Sequence, residues 1–260
     1  MIYSSRTQRP NIHADAYVAP SATICGDVTI AAGCAILHGA ILVAEGAPLR
    51  IDQESVVMEN AVLRSSGGSA TTFALHLGAR CIVGPQAYVV GATIGRGCFI
   101  ASGAKVFNGA TMEEGSSLAL GAILHVGSRL PSGTHVPMQH IAFGDPADIL
   151  PPERAGEVHA RLHFFETVFN LEASSDVRAR AAGIYAAFLR KAHAQDAAIE
   201  GTLRTTKPVA RRPAGEEPPP QQQADVGKVV DVMMLELEEM ERRREEAIRR
   251  QRRGGKPERG

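Results

Sequence analysis

Aliphatic residues return every six positions through much of the first half of the chain. The series runs Val18, Ile24, Ile30, Ile36, Leu42, and again Ile94, Ile100, Val106, Met112, Leu118, Leu124, Leu130, Val136. A small residue often follows within three positions, as in ICGDVT, IAAGCA, ILHGAI, IGRGCF and LALGAI. A helix repeats near 3.6 and a half-buried strand at two. A period of six matches instead the hexapeptide repeat of a parallel β-helix, with one short strand and one tight corner per repeat. Each strand points one aliphatic side chain inward, and successive coils stack these into columns rising about 4.8 Å per rung. Small residues let the chain turn each corner without steric penalty.

The rhythm begins near Ile12, ends near Ile141 and breaks twice: at GAPLRI, Gly46 to Ile51, and at SSGGSATTF, Ser65 to Phe73, a loop expected to bulge from the coil. It resumes at Leu77, Val83 and Val89, then takes a five-residue step to Ile94. The closing segment HIAFGDPADILPP carries a Gly-Asp-Pro-Ala turn whose prolines should end strand pairing.

Beyond Pro152 the pattern changes to helix. Val158, Leu162, Phe165 and Phe169 fall on one helical face, and an SSD cluster near Ser174 offers a cap for a second helix through Ile184, Phe188 and Leu189. Four segments are expected: 9–151, the β-helix; 152–200, helices covering part of its flank; 201–225, a disordered linker containing PAGEEPPPQQQ; and 226–260, a charged helix or tail. In the last, Val226, Val230, Met233, Leu237 and Met240 make a heptad seam of about two repeats. Three such helices tethered to one trimeric body could associate or dock a protein partner; a lone one would fray.

Composition narrows the picture. The 260 residues carry no net charge and no Trp, and 5% are aromatic, which suits aliphatic columns rather than an aromatic core. No global field draws the chain to nucleic acid or to a membrane. The Arg-rich end lacks interleaved aromatics and reads as a solvated charged face, not a nucleic-acid patch. No apolar run reaches membrane-spanning length, and the first residues carry no apolar stretch of signal-peptide length, so a cytoplasmic protein is expected. Cys25, Cys34, Cys81 and Cys98 form no CxxC pair and read as small packing residues in a reducing compartment.

The stretches IHADAYVAPSATICGDVTIAAGCAILHGAILVAEGAPLRI, VVMENAVL and HLGARCIVGPQAYVVGATIGRGCFI resemble the gamma-class carbonic anhydrases, within the hexapeptide-repeat transferase superfamily, over Arg9 to Pro151. The resemblance, not the spacing, implies a left-handed β-helix, a homotrimer and an active site between subunits. It also implies a zinc held by three histidines, which would lower the pKa of a bound water. His76 matches the first ligand, but Pro85 and Val90 stand at the second and third, and neither can ligate zinc. Gln86, one residue along, is a poor ligand on the opposite side of the chain. The family's Arg-Gly-Asp is Val43, Ala44, Glu45 here, and its Gln-Asp-Asn is Met58, Glu59, Asn60.

Three readings follow. The first is a trimeric non-catalytic scaffold or small-ligand-binding protein, with a degenerate cleft around Glu45, Asn60, His76, Gln86 and His125 and no cofactor. The alternative is a hexapeptide-repeat acyltransferase using CoA, with His76 or His125 as general base. An active zinc carbonic anhydrase comes last. His125 shares the hexad phase of Val90 two coils away, roughly 10 Å along the stack and too far to share a metal with His76. His38 reads as an outward polar residue, His135 and His140 flank the terminal turn, and His159 with His163 form an i, i+4 pair lacking a third ligand.

Overall fold

The six-step residues become the interior of a left-handed parallel β-helix. The computed structural model describes residues 1–5, 8–67, 72–161, 165–166 and 171–199. Each coil contributes a short strand to each of three faces. The first face stacks Ile2–Ser4, Thr23–Cys25, Ile41–Val43, Val62–Arg64, Tyr88–Val90, Lys105–Val106, Ile123–Leu124 and Ile141–Gly144. The second stacks Asn11–Ile12, Val28–Ile30, Leu49–Ile51, Leu75–Leu77, Thr93–Ile94, Thr111–Met112 and Arg129–Leu130. The third stacks Tyr17–Val18, Ala35–Ile36, Val56–Val57, Ile82–Val83, Phe99–Ile100, Ser117–Leu118 and His135–Val136.

Parallel register aligns the predicted columns. Leu42, Leu63, Val89, Val106 and Leu124 lie in line behind the first face, and Ile36, Val57, Val83, Ile100 and Leu118 behind the third. All of them are fully buried. Removing roughly 1.5–3 kcal/mol worth of apolar surface from water per residue is what holds so thin a coil together.

Corners require a left-handed residue. Most are glycine, but Glu54, Asn60, Arg80, Gln86 and Gln139 also have φ near +60°. Asn60 and Gln86 both turn the corner between the third and first faces, so their backbone has a structural task. Gly84, in that same corner, is needed for close approach: a Cβ there would lie 2.7 Å from Ser102 N and 2.8 Å from Ala101 C in the next coil.

The Ser65–Phe73 bulge is in part a hairpin, with Ser66–Gly67 paired antiparallel to Thr72–Phe73. It folds along the corner between the first and second faces. A Cβ on Gly91 would lie 2.5 Å from that of Phe73, and Ser66 Oγ donates to Asn108 Oδ1 at 2.9 Å.

Two expectations about the far end are corrected. Pairing does not stop at the Gly-Asp-Pro-Ala turn: Ala147–Leu150 runs back antiparallel on Ile141–Gly144. Pro146 sits within the turn, where its missing N–H leaves the ladder intact. Helix α1 spans Ala155–Arg161 and α2 spans Val177–His193. Asp176 is the N-cap residue of α2 but makes no side-chain cap bond; Ser174 Oγ donates to its Oδ1 instead. Ile184 is solvent-exposed, because the helix seats the small Ala181 inward with Phe188 and Leu189 half-buried. The chain then returns to the start of the coil, where Ala197–Ala198 pairs antiparallel with Ile2–Ser4. Leu162, His163, Phe169, the side chain of His159, the 201–225 linker and the 226–260 segment lie outside the described residues. No helix among the described residues is long and apolar enough to cross a membrane.

Candidate functional site

The residues grouped by sequence as one cleft occupy different parts of the coil. Asn60 and Gln86 lie at the corner between the third and first faces. His76 points outward from the middle of the second face, in register with Arg50 and Thr93. Its Nε2 lies 2.9 Å from Asp52 Oδ2, both side chains nearly half exposed. Glu45 is beyond the end of the first face, and His125 is at the end of that face farther up the stack.

The zinc implied by resemblance does not fit. Val90, in register with Arg64, brings a buried isopropyl group where the third imidazole would stand, and Pro85 sits in the corner beside Gln86. No group of three or more His, Cys, Asp or Glu among the described residues is arranged to hold a metal.

Glu45 has a different role. It is almost fully buried, at 3% exposure, and ion-pairs with Arg64 Nη2. The same nitrogen donates to the Tyr185 hydroxyl of α2 at 3.2 Å. Glu45 N–H donates to Ser65 Oγ at 2.9 Å, and Ser65 Oγ donates to the Ala47 carbonyl. Glu45 Oε1 and Arg64 Nε remain buried without a hydrogen-bond partner. Arg64 was not marked by the sequence because its partner lies one coil away.

His125 stands in the outward column at the end of the first face, in line with Val90 and Phe107 below and Phe143 above. Its ring centroid lies 5.9 Å from that of Phe107 and 5.5 Å from that of Phe143, the latter edge-on. Tyr88 extends the aromatic set, 6.2 Å from Phe107. Burial lowers the His125 pKa from its usual 6.5, so the ring is neutral near pH 7. Nδ1 is buried without a partner. A neutral imidazole with apolar walls can accept a proton. Phe107, His125 and Phe143 are spaced at three hexads, a signal present in the sequence.

His38, His135 and His140 make surface contacts. Ser21 Oγ lies 2.8 Å from His38 Nδ1, Ser117 Oγ 2.8 Å from His135 Nδ1, and His140 Nδ1 2.8 Å from the Met138 carbonyl.

No family model matches the chain. Among solved structures it is similar to a putative acetyltransferase of Bacillus cereus, with 22% identity, 75% of this chain and 95% of that one covered, and a TM-score of 0.34. A hexapeptide transferase family protein of Anaplasma phagocytophilum gives 22% identity, 72% and 95% coverage and a TM-score of 0.35. LpxA of Acinetobacter baumannii gives 16% identity, 71% and 90% coverage and a TM-score of 0.30.

Proposed function

We propose that the chain is a hexapeptide-repeat acyltransferase that uses CoA thioesters, with His125 as general base. The observation that carries this reading is the neutral imidazole of His125, held between Phe107 and Phe143 with its Nδ1 buried and unpartnered. His76 is the weaker base candidate, since it is exposed and already engaged by Asp52. His125 takes the proton from an acceptor hydroxyl or amine as that group attacks the thioester carbonyl. The tetrahedral intermediate then expels the CoA sulfur, which leaves with a proton. The apolar walls keep the imidazole unprotonated and exclude competing water. We place the working form as a cytoplasmic homotrimer. The exposed Tyr17, Ile82 and Phe99 of the third face, with Leu120 and Met138 at the adjoining corner, supply an apolar surface for subunit contact.

Isothermal titration with acetyl-CoA tests the reading. Binding in the micromolar to millimolar range is expected. His125→Ala should keep that binding and abolish thiol release with a panel of amine and hydroxyl acceptors. Absence of heat up to millimolar acetyl-CoA would overturn it.

The second reading, a non-catalytic trimeric relative of the gamma-class carbonic anhydrases, is favoured by one observation. The Glu45–Arg64 pair and the Pro85 and Val90 substitutions put ordinary structural groups where that family keeps its metal site. A trimer that binds neither acetyl-CoA nor zinc would support it.

A further inference from the structure

The corner between the second and third faces has an inward column that the proposed chemistry does not use. Cys34, Ser55, Cys81, Cys98 and Ser116 occupy it in successive coils, all fully buried or within 1% of it. The ladder places each against the next. Ala35 N–H donates to the Ser55 carbonyl at 3.0 Å, Val56 N–H to that of Cys81 at 2.8 Å, Ile82 N–H to that of Cys98 at 3.1 Å, and Phe99 N–H to that of Ser116 at 3.1 Å. Cys81 and Cys98 are therefore neighbours one rung apart, with side chains in the same corner.

Rung spacing decides what this pair can do. Adjacent rungs stand about 4.8 Å apart, inside the Cα window of about 4.4–6.8 Å for a disulfide, and a slight tightening brings the Cβ atoms into range. Cys34 is separated from Cys81 by the rung of Ser55, about 10 Å in all, beyond bridging distance. Cys25 lies on the first face. All four thiols are free, so one pair alone has the geometry.

The surroundings also divide the labour. Cys81 lowers the pKa of Cys98 by hydrogen bonding to it, with help from Ser116, and the same contact raises that of Cys81. Cys98 Sγ lies 3.5 Å from Ser116 Oγ and 3.1 Å from the Glu113 carbonyl, while Cys81 Sγ lies 3.0 Å from the Gly95 carbonyl. The Ser116 hydroxyl stands beside Cys98 Sγ, where it can donate to a thiolate, and this makes Cys98 the attacking sulfur and Cys81 the resolving one.

We propose that Cys81 and Cys98 are a dithiol oxidation site that closes to a disulfide across adjacent coils when a peroxide supplies the oxidising equivalents. The Cys98 thiolate attacks one oxygen of hydrogen peroxide. The O–O bond breaks, hydroxide leaves and takes a proton to become water, and Cys98 becomes a sulfenic acid. The Cys81 sulfur then attacks the Cys98 sulfur, and the sulfenic oxygen leaves as a second water carrying the Cys81 thiol proton. Two thiols and one peroxide become one disulfide and two waters. The bond locks together the coil that presents His76 and the coil above it, independently of any acyl transfer.

The test treats the folded full chain with excess hydrogen peroxide in native buffer over hours, so that local opening of the coil admits the oxidant. Alkylation after denaturation and peptide mass spectrometry then count the thiols. Loss of the mass of two hydrogens, two of the four cysteines protected and a single linked pair, Cys81 with Cys98, is the expected result. A melting temperature that rises on oxidation and falls back with dithiothreitol should accompany it. Cys81→Ser and Cys98→Ser should each abolish the link, and Cys34→Ser should leave it. Four alkylated cysteines, overoxidation of Cys98 without a link, or links through Cys25 or Cys34 would overturn the proposal.

Discussion

Replacing Arg64 with Met strands the carboxylate of Glu45. The Glu45 side chain is 2% exposed and that of Arg64 24%, so the pair is shielded from water and from salt. Breaking a buried pair by removing one partner costs about 3–5 kcal/mol. The residual exposure of Arg64 puts Arg64→Met near the lower end, about 3 kcal/mol, or about 6–12 °C in melting temperature for a domain of this size. The double variant Glu45→Leu/Arg64→Met removes both charges and leaves apolar groups of similar reach. It should recover most of the loss, because no charge remains to be solvated. Urea or thermal unfolding of the two single variants and the double variant closes the cycle. Tyr185→Phe is the control, since it removes the hydrogen bond from Arg64 while keeping the ion pair, and should cost about 1 kcal/mol. If Arg64→Met loses under about 1 kcal/mol, or the double variant is as unstable as the single one, the pair is not shielded from water.

Four further outcomes follow from the same geometry. Because burial depresses the His125 pKa, the unfolded chain takes up a proton near pH 6 that the folded one refuses. Stability is therefore full above the unfolded value of 6.5 and falls as the pH drops below it; His125→Phe should flatten the slope of unfolding midpoint between pH 7.5 and 5.5, and equal slopes would contradict the burial. Gly84→Ala forces a Cβ to within 2.7 Å of Ser102 N, a backbone atom that cannot swing aside, so a loss of about 2 kcal/mol or more is expected by thermal melt. Gly115→Ala, with nothing within 4 Å, should cost only the left-handed φ, about 1–2 kcal/mol. His76→Ala breaks a pair that solvent already screens and should change stability by at most about 1 kcal/mol; a larger loss in a denaturant titration would mean that His76 is covered.

The candidate site was only partly legible. His125 was noticed because it occupies a definable place in its hexad, and the register confirms that it shares the Val90 column. Its aromatic neighbours, also at fixed hexad places, were readable in principle. Asn60 and Gln86 looked like remnants of a polar cleft, yet both sit at φ near +58°, where the chain needs a corner residue. A left-handed φ favours glycine and, among other residues, asparagine, so Asn60 carries a mark of its corner that Gln86 does not. Arg64 carries no mark in the sequence, because its partner Glu45 lies one coil away across the GAPLRI break in the rhythm, and only the folded coil sets the two side by side.

The inward columns belong to the sequence. A strict six-residue step decides which side chains face the interior whatever else the chain does, because each strand and corner is set by residues next to one another. What covers the outward positions belongs to the tertiary structure. Arg64 is sealed by a helix residue more than a hundred positions away, Phe73 is laid over a corner by its hairpin, and the edge strand Ile2–Ser4 is capped by Ala197–Ala198. These contacts join segments with no common period, and burial of an outward side chain depends on whichever distant segment comes to rest on it.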